Sequence, residues 1–309
     1  MRVLVTGADG FVGKHLCRHL RENGDEVVEA HGPRGDGTHA PGLSVDVTRL
    51  ESVRACVAEA RPDGVIHLAG FSSVAKSHQD PALAFAVNAM GTVNLLVALK
   101  ESAPKARVVL VGSGEMYGAI PADTRATEDT PLLPLSPYAA AKLAAEVAGL
   151  QFSRGYKLEV VSARPFNHLG PGQDPTFVVP AFAAQIARIG AGQAEPVLKV
   201  GDLGPIRDFS HVRDVVAAYR LLLLRGQASA AYNVCSGQGR SIRSLLDEML
   251  QLSGVSARVE VDPARLRPAE IPSLVGEPAR LLALGWEPRL TATDALREVL
   301  EEQRSALQR

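Results

Sequence analysis

The stretch Val3-Leu4-Val5-Thr6-Gly7-Ala8-Asp9-Gly10-Phe11-Val12-Gly13 decides the fold. Its first part, Arg2–Thr6, is a nearly continuous apolar run, the pattern of a strand buried on both faces. A glycine triplet spaced G-x-x-G-x-x-G follows, and then a helix-period pattern over Phe11–Asn23. Small residues in such a turn let the backbone approach a pyrophosphate, and Gly13 lets helix pack closely on strand. The free N–H groups and positive dipole end of the helix then face the anion. Gly7, Gly10, Phe11, Val12 and Gly13 are therefore candidate cofactor-binding residues. A tight strand–helix turn alone would also use glycine, but this one heads a series of βα units.

Further strands are predicted at Glu26–Ala30, Gly64–Leu68, Ala106–Gly112 and Leu158–Ala163. Between them lie helical patterns at Arg49–Ala60, Pro81–Ser102 and Pro137–Arg154, while His31–Gly42, rich in Gly and Pro, reads as an exposed loop. The alternation predicts an α/β fold, a Rossmann-type doubly wound parallel sheet. After Arg164 the character changes. Pro165, Pro171, Pro175 and Pro180 mark a long irregular crossing, followed by a strand-like piece at Val197–Val200 and helices at Val212–Leu224 and Ile242–Leu252. Ala231–Cys235 is expected to return to the first sheet. The tail, Ser256–Arg309, reads as a short strand, a Pro-rich loop and two helices. Residues 1–164, with 209–237 returning, form the predicted nucleotide domain. Residues 165–208 and 238–309 form a smaller C-terminal α/β substrate lobe.

The 309 residues are 46 % hydrophobic and 22 % charged, which excludes a disordered or fibrous chain. Thirty-three basic side chains face thirty-four acidic ones, for a net charge of −1. No general field exists to hold a nucleic acid or an anionic membrane, so any anion must be held locally. Three scattered cysteines, Cys17, Cys56 and Cys235, give neither a disulfide framework nor a thiolate metal site and are read as buried thiols. No metal site is expected. Met1–Thr6 is not a signal peptide, no apolar run is expected to approach the ~20 residues of a bilayer span, and a reducing cytoplasm fits best.

Two more segments support a nucleotide. Asp46, with Val47 after it, follows a short apolar strand at the usual distance for contact with an adenine edge. His67-Leu68-Ala69-Gly70 ends a strand with small residues where a ligand would lie against the backbone, so Leu68, Ala69 and Gly70 are cofactor candidates. An acidic residue ending the second strand would hold a ribose 2′-hydroxyl and reject a 2′-phosphate. That strand runs Val27-Val28-Glu29-Ala30-His31, with Glu29 too early and Arg34 following in the loop. NADP(H) is favoured, with NAD(H) the alternative.

Tyr138 and Lys142 are spaced i, i+4 on a helix, so both share one face. A neighbouring ammonium would favour the phenolate and make Tyr138 an acid or base near neutrality. Lys142 would also reach the nicotinamide ribose. On the pair alone, an exposed helix face reads equally well. Ser113, however, ends a central strand in Ser113-Gly114-Glu115-Met116-Tyr117-Gly118, where its hydroxyl can help polarise a substrate oxygen. Asn88 either orders the lysine or the ribose, or makes a helix–loop hydrogen bond.

These segments, Thr6–Gly13, His67–Gly70, Ser113–Gly118 and Tyr138–Lys142, resemble the extended short-chain dehydrogenase/reductase family in order and approximate spacing, over essentially the whole chain. The resemblance implies a Rossmann domain with a small substrate lobe, action on nucleotide-activated sugars, and Ser113, Tyr138 and Lys142 as the catalytic set. It also implies a homodimer paired through the helices Pro81–Ser102 and Pro137–Arg154.

The second half carries Ala163-Arg164-Pro165-Phe166-Asn167-His168-Leu169-Gly170, Arg207-Asp208-Phe209 and Arg267-Pro268-Ala269-Glu270. Separated arginines and a carboxylate suit a nucleoside diphosphate, though a surface ion pair at Arg207–Asp208 and a helix-start pair at Arg267–Glu270 fit as well. Together with Tyr232–Gly237, these elements look like the GDP-6-deoxy-D-mannose reductases of the family. That resemblance implies reduction of the C4 ketone of GDP-4-dehydro-6-deoxy-D-mannose to GDP-D-rhamnose, with Ser113, Asn167, Arg207, Arg267 and Glu270 at the substrate. Glu115, two positions after Ser113, keeps a GDP-mannose 4,6-dehydratase open, and a 4-epimerase is a third choice. A nucleotide-binding redox sensor is the non-enzymatic alternative; a sensor would be expected to lose the hydroxyl–phenol–amine set, which is intact.

Overall fold

The computed structural model describes residues 1–33, 42–121, 123–266 and 271–308. The first six strands are β1 (Arg2–Thr6), β2 (Glu26–His31), β3 (Leu43–Ser44), β4 (Gly64–His67), β5 (Arg107–Val111) and β6 (Glu159–Pro165). Then come β7 (Asn167–Leu169), β8 (Val197–Val200), β9 (Ile206–His211), β10 (Ala231–Val234), β11 (Gly239–Ser241), β12 (Arg258–Val261) and β13 (Ser273–Leu274). The helices of the first half are α1 (Phe11–Glu22), α2 (Leu50–Ala60), α3 (Val74–Gln79), α4 (Pro81–Phe85), α5 (Gly91–Ser102) and α6 (Pro137–Tyr156). Those of the second half are α7 (Val178–Gly190), α8 (Val212–Arg225), α9 (Ile242–Ser253), α10 (Ala279–Ala283) and α11 (Ala292–Leu307).

Seven strands form one parallel sheet in the order β10-β6-β5-β4-β1-β2-β3. The order reverses between β1 and β4, and the carboxyl ends there open the crevice in which such sheets hold ligands. Successive side chains along a strand point to opposite faces. Val3 and Val5 of β1 join the core under α1 and α8, with Leu16, Leu20 and Leu222, while Leu4 between them joins Val53, Leu95 and Leu99 under α2 and α5. This double burial is why the strands read as unbroken apolar runs.

The remaining strands belong to the smaller lobe. β11, β9 and β13 form one sheet, β7 pairs with β9, and β12 pairs with β8. A third core, including Phe182, Ile186, Leu198, Leu246 and Val299, fills this lobe. Ala231–Val234 does return to the large sheet beside β6. The return starts at α8, however, because Phe209–His211 pairs with β7 inside the small sheet.

Other expectations are corrected. The crossing after Pro175 contains α7, a 13-residue helix. Pro180 sits in its first turn, where a proline removes no helical hydrogen bond. His31 ends β2 rather than opening a loop. The helix over Pro81–Ser102 is interrupted by a π turn at Ala86–Met90. That stretch, 22 residues long, is long and apolar enough to cross a bilayer by length and composition, against the sequence expectation, but half of its most apolar window is buried in the protein.

Candidate active site

The glycine turn is built by close approach. Gly7 has φ +72°, and a Cβ there would lie 2.8 Å from the Ala69 nitrogen. A Cβ on Gly13 would strike the Gly7 carbonyl oxygen and lie 2.6 Å from that of Ala8. The N–H groups of Gly7 and Ala8 both bond the Ala30 oxygen, at 2.9 and 3.2 Å, which ties the turn to β2. At the start of α1, Gly10 offers no side-chain cap and the first turn holds no acidic residue. The turn therefore fits a dinucleotide pyrophosphate, which would meet the N–H groups that a cap would otherwise take. Val12 packs partly buried on the core. Phe11 stacks on His168 of β7, rings 6.0 Å apart and 9° from parallel, so the turn touches the smaller lobe.

Beside the turn lies a cavity of about 650 Å³ lined by Asp9, Lys14, Arg18, Arg21, Glu29 and His31. His31 is buried, with Nδ1 3.6 Å from Asp9 and Nε2 3.5 Å from Glu29. Glu29 also pairs with Arg21 at 2.5 Å. The residue ending β2 is thus a histidine, not the acid that selects a free ribose hydroxyl. Arg34 lies outside the described residues. Asp46 accepts from the Thr48 N–H and hydroxyl at 3.0 and 2.6 Å. Val47 is buried against Gly91, and its carbonyl accepts from Asn94 at 2.8 Å.

Ser136 caps α6 by accepting from the Ala139 N–H at 3.1 Å, with Pro137 in the first turn. The cap fixes where Tyr138 and Lys142 begin. Ser113, at the carboxyl end of β5, caps the short 3-10 turn Gly114–Tyr117 and lies beside the Tyr138 phenol. Lys142 donates to the Val111 carbonyl at 2.9 Å. The three predicted catalytic residues therefore converge at one edge of the sheet.

Their electrostatics differ from the expectation. Burial pushes the Tyr138 phenol up to about 12, opposed by the neighbouring Ser113 hydroxyl and reinforced by Glu115. Burial also lowers Lys142 to about 8. Desolvation outweighs any pull of the ammonium, so Tyr138 is held as a neutral acid rather than drawn toward phenolate.

Asn88 sits in the π turn, as such turns often do at functional positions. Its amide accepts from the Phe71 N–H at 2.8 Å and donates to the Phe71 carbonyl at 3.0 Å, so it makes the helix–loop bond. A Cβ on Gly70 would stand 2.9 Å from this amide oxygen and 3.3 Å from the Lys142 nitrogen. Leu68 and Ala69 are held by β1: the Leu68 N–H bonds the Thr6 carbonyl, and the Ala69 N–H bonds the Thr6 hydroxyl. The sequence reading assigns no role to that hydroxyl, which also bonds His67 Nδ1 at 2.7 Å. Burial lowers His67 to about 3, so it is neutral. The signal is present in the sequence, as two polar residues at the ends of adjacent apolar strands.

In the smaller lobe, Asn167 is exposed on β7, whereas Arg207 is buried on β9 and donates to the Ile206 carbonyl at 2.9 Å. Asp208 is fully buried and accepts from the Ser236 N–H and hydroxyl, Gly237 and Gly276. A surface ion pair at Arg207–Asp208 is thereby ruled out. Arg267 and Glu270 lie outside the described residues. Among the described residues no group of three His, Cys, Asp or Glu side chains could hold a metal, and Cys17, Cys56 and Cys235 are free and buried.

The family described as GDP-mannose 4,6 dehydratase matches residues 4–299. The chain belongs to that family, within the extended short-chain dehydrogenase/reductases. It is 40 % identical over 305 residues to the GDP-6-deoxy-D-mannose reductase of Pseudomonas aeruginosa, covering 97 % of this chain and 96 % of that one. The structure of RMD from Pseudomonas aeruginosa complexed with NADPH superposes with a TM-score of 0.85 and 37 % identity, over 99 % and 100 % of the two chains. UDP-glucose 4-epimerase from Thermus thermophilus, complexed with NAD, gives 0.88 and 34 %, also over 99 % and 100 %. The Rossmann-type fold and an NAD(P)-dependent sugar-nucleotide chemistry follow from these likenesses.

Proposed function

We propose that the protein reduces the C4 ketone of GDP-4-dehydro-6-deoxy-D-mannose, giving GDP-D-rhamnose. The observation that carries this reading is the convergence of Ser113, at the end of β5, with Tyr138 and Lys142 of α6 at the carboxyl edge of the sheet, where Lys142 donates to the Val111 carbonyl. Whole-length similarity to a GDP-6-deoxy-D-mannose reductase selects the substrate class. The reduced nicotinamide supplies the hydride when bound. Tyr138 gives its proton to the forming C4 alkoxide while Ser113 donates to the same oxygen. Lys142, lowered by burial to about 8 and so still largely protonated at neutral pH, would hold the nicotinamide ribose.

NADPH is the favoured cofactor. Lys14, Arg18 and Arg21 line the cavity beside the glycine turn, and β2 ends in His31 instead of an acid. Gly7, Gly10, Phe11, Val12, Gly13, Asp46, Val47, Leu68, Ala69, Gly70, Asn88, Tyr138 and Lys142 are assigned to the cofactor, as is Arg34. Asn167, Arg207, Arg267 and Glu270 are assigned to the sugar nucleotide. The active species is a cytoplasmic homodimer. In support, Leu83, Phe85, Met90 and Val147 are exposed on the stretch Pro81–Ser102 and on α6.

Glu115 supports a second reading, the 4,6-dehydratase, because its charge reaches Tyr138. Two incubations separate them. The reductase consumes NADPH with the keto sugar and yields GDP-D-rhamnose by NMR. If GDP-mannose and trace NADP⁺ instead give a 4-keto product without added reductant, the dehydratase reading replaces it.

A further inference from the structure

A buried charged network outside the reacting groups joins the two elements that carry them. Tyr138, Lys142 and Glu146 recur every four residues on α6, so they lie along one side of that helix. Arg164, on β6, is 6 % exposed. Its Nε lies 3.2 and 3.1 Å from the two Glu146 oxygens, and Nη2 donates to Oε1 at 2.5 Å. The third nitrogen, Nη1, donates to the Tyr117 hydroxyl at 2.8 Å and the Glu128 carbonyl at 3.0 Å. Tyr117 closes the four-residue turn that Ser113 caps. Its hydroxyl in turn donates to Asn233 Oδ1 on β10 at 2.7 Å. Asn233 donates onward to the Ala126 carbonyl at 2.8 Å, and its N–H to Glu128 Oε1 at 2.8 Å.

The guanidinium thus reaches α6 with one edge and the Ser113 turn with the other. A planar, rigid fork is suited to setting the relative position of two such elements. A buried ion pair is weak evidence for stability, since an apolar pair often packs as well or better. The cost of desolvating these charges is better matched to a geometric task. We propose that Arg164 and Glu146 are positioning residues that hold Tyr138 against Ser113. The inference rests on the reading of Tyr138 and Ser113 as the proton donor and its partner. Neither Arg164 nor Glu146 touches the reacting atoms; they act through Tyr117 and the α6 backbone.

The decisive variant removes both charges at once, R164M/E146L. It is expected to keep its Tm near the wild-type value and its Kd for NADPH within about two-fold, because apolar replacement of a buried pair is often neutral. Turnover of the keto sugar is expected to fall about ten- to hundred-fold, in kcat rather than KM, as misplaced catalytic groups do. Tyrosinate titration, wild type minus Tyr138→Phe and repeated in the double variant, is expected to move for Tyr138 as the phenol shifts relative to Ser113. R164K, which keeps the charge but not the fork, is expected to fall between the two. Should the double variant unfold, E146Q keeps the shape and is expected to show the same kcat loss to a smaller degree. Wild-type kcat in R164M/E146L, or in E146Q if that is the variant measured, overturns the proposal. So does a loss of kcat matched by equal losses in Tm and NADPH binding, which would mark a merely structural role. If Tyr138→Phe is itself fully active, the catalytic reading fails and this inference falls with it. If Tyr138→Phe is inactive while the double variant is fully active, this inference alone falls.

Discussion

Replacing Tyr138 by Phe removes one oxygen and leaves the ring. The fold loses only the volume of that oxygen, so any cavity term is small. What goes is the proposed proton donor, the hydroxyl beside Ser113. With the phenol pushed up to about 12, roughly one molecule in 10⁵ carries phenolate at pH 7, so nearly every molecule is in the acid form that a ketone reduction needs. Losing a positioned general acid costs roughly 10²- to 10⁴-fold in rate, or ~3–5 kcal/mol in the barrier. NADPH oxidation with the keto sugar is the assay, with Kd for NADPH measured by fluorescence on the same preparation. Both kcat and kcat/KM are expected to fall by the same factor, because the interaction is made at the developing alkoxide. The Kd is expected to hold, since the glycine turn and Lys142 are untouched. A kcat within about three-fold of wild type, well short of the general-acid range, would sink the assignment of Tyr138.

Three further outcomes are expected. Lys142, lowered to about 8 by burial, loses its charge as pH rises through that value; affinity for NADPH should weaken above it, and Lys142→Met should show the weaker binding without the pH dependence. Gly13→Ala would drive a Cβ into the backbone oxygens of Gly7 and Ala8, so thermal unfolding should come several degrees earlier and NADPH binding should be lost; an unchanged Tm would show that the turn can relax. Val147→Glu places a charge on the exposed apolar side of α6 and should shift the light-scattering mass from dimer toward monomer, whereas a dimer of unchanged affinity would move the interface elsewhere.

The Rossmann half was legible because its strands are buried on both faces and its helices follow a regular period. Each of β1, β2, β4, β5 and β6 begins within a residue of its predicted start. The smaller lobe was less legible. Proline read as irregularity at Pro180, although the first turn of α7 has no helical N–H bond to lose there. β7, β11 and β13 are three or fewer residues long, too short to show a period. The π turn that carries Asn88 changes the backbone bonding without changing the apolar pattern, so Pro81–Ser102 read as one uniform helix.

By itself, the sequence determined the parallel sheet and the glycine turn, which depend on local spacing and on which residues stand at strand ends, while Ser113, Tyr138 and Lys142 stood out as a catalytic set through the family resemblance. Only the tertiary structure decided their chemistry. The spacing of Tyr138 and Lys142 suggested a phenol eased toward ionisation. Burial reversed that, raising the phenol and lowering the amine. Desolvation is set by everything packed around a group, which no local spacing records. The same holds for Arg164 and Glu146, eighteen positions apart in the chain and joined by three nitrogen–oxygen contacts in the fold.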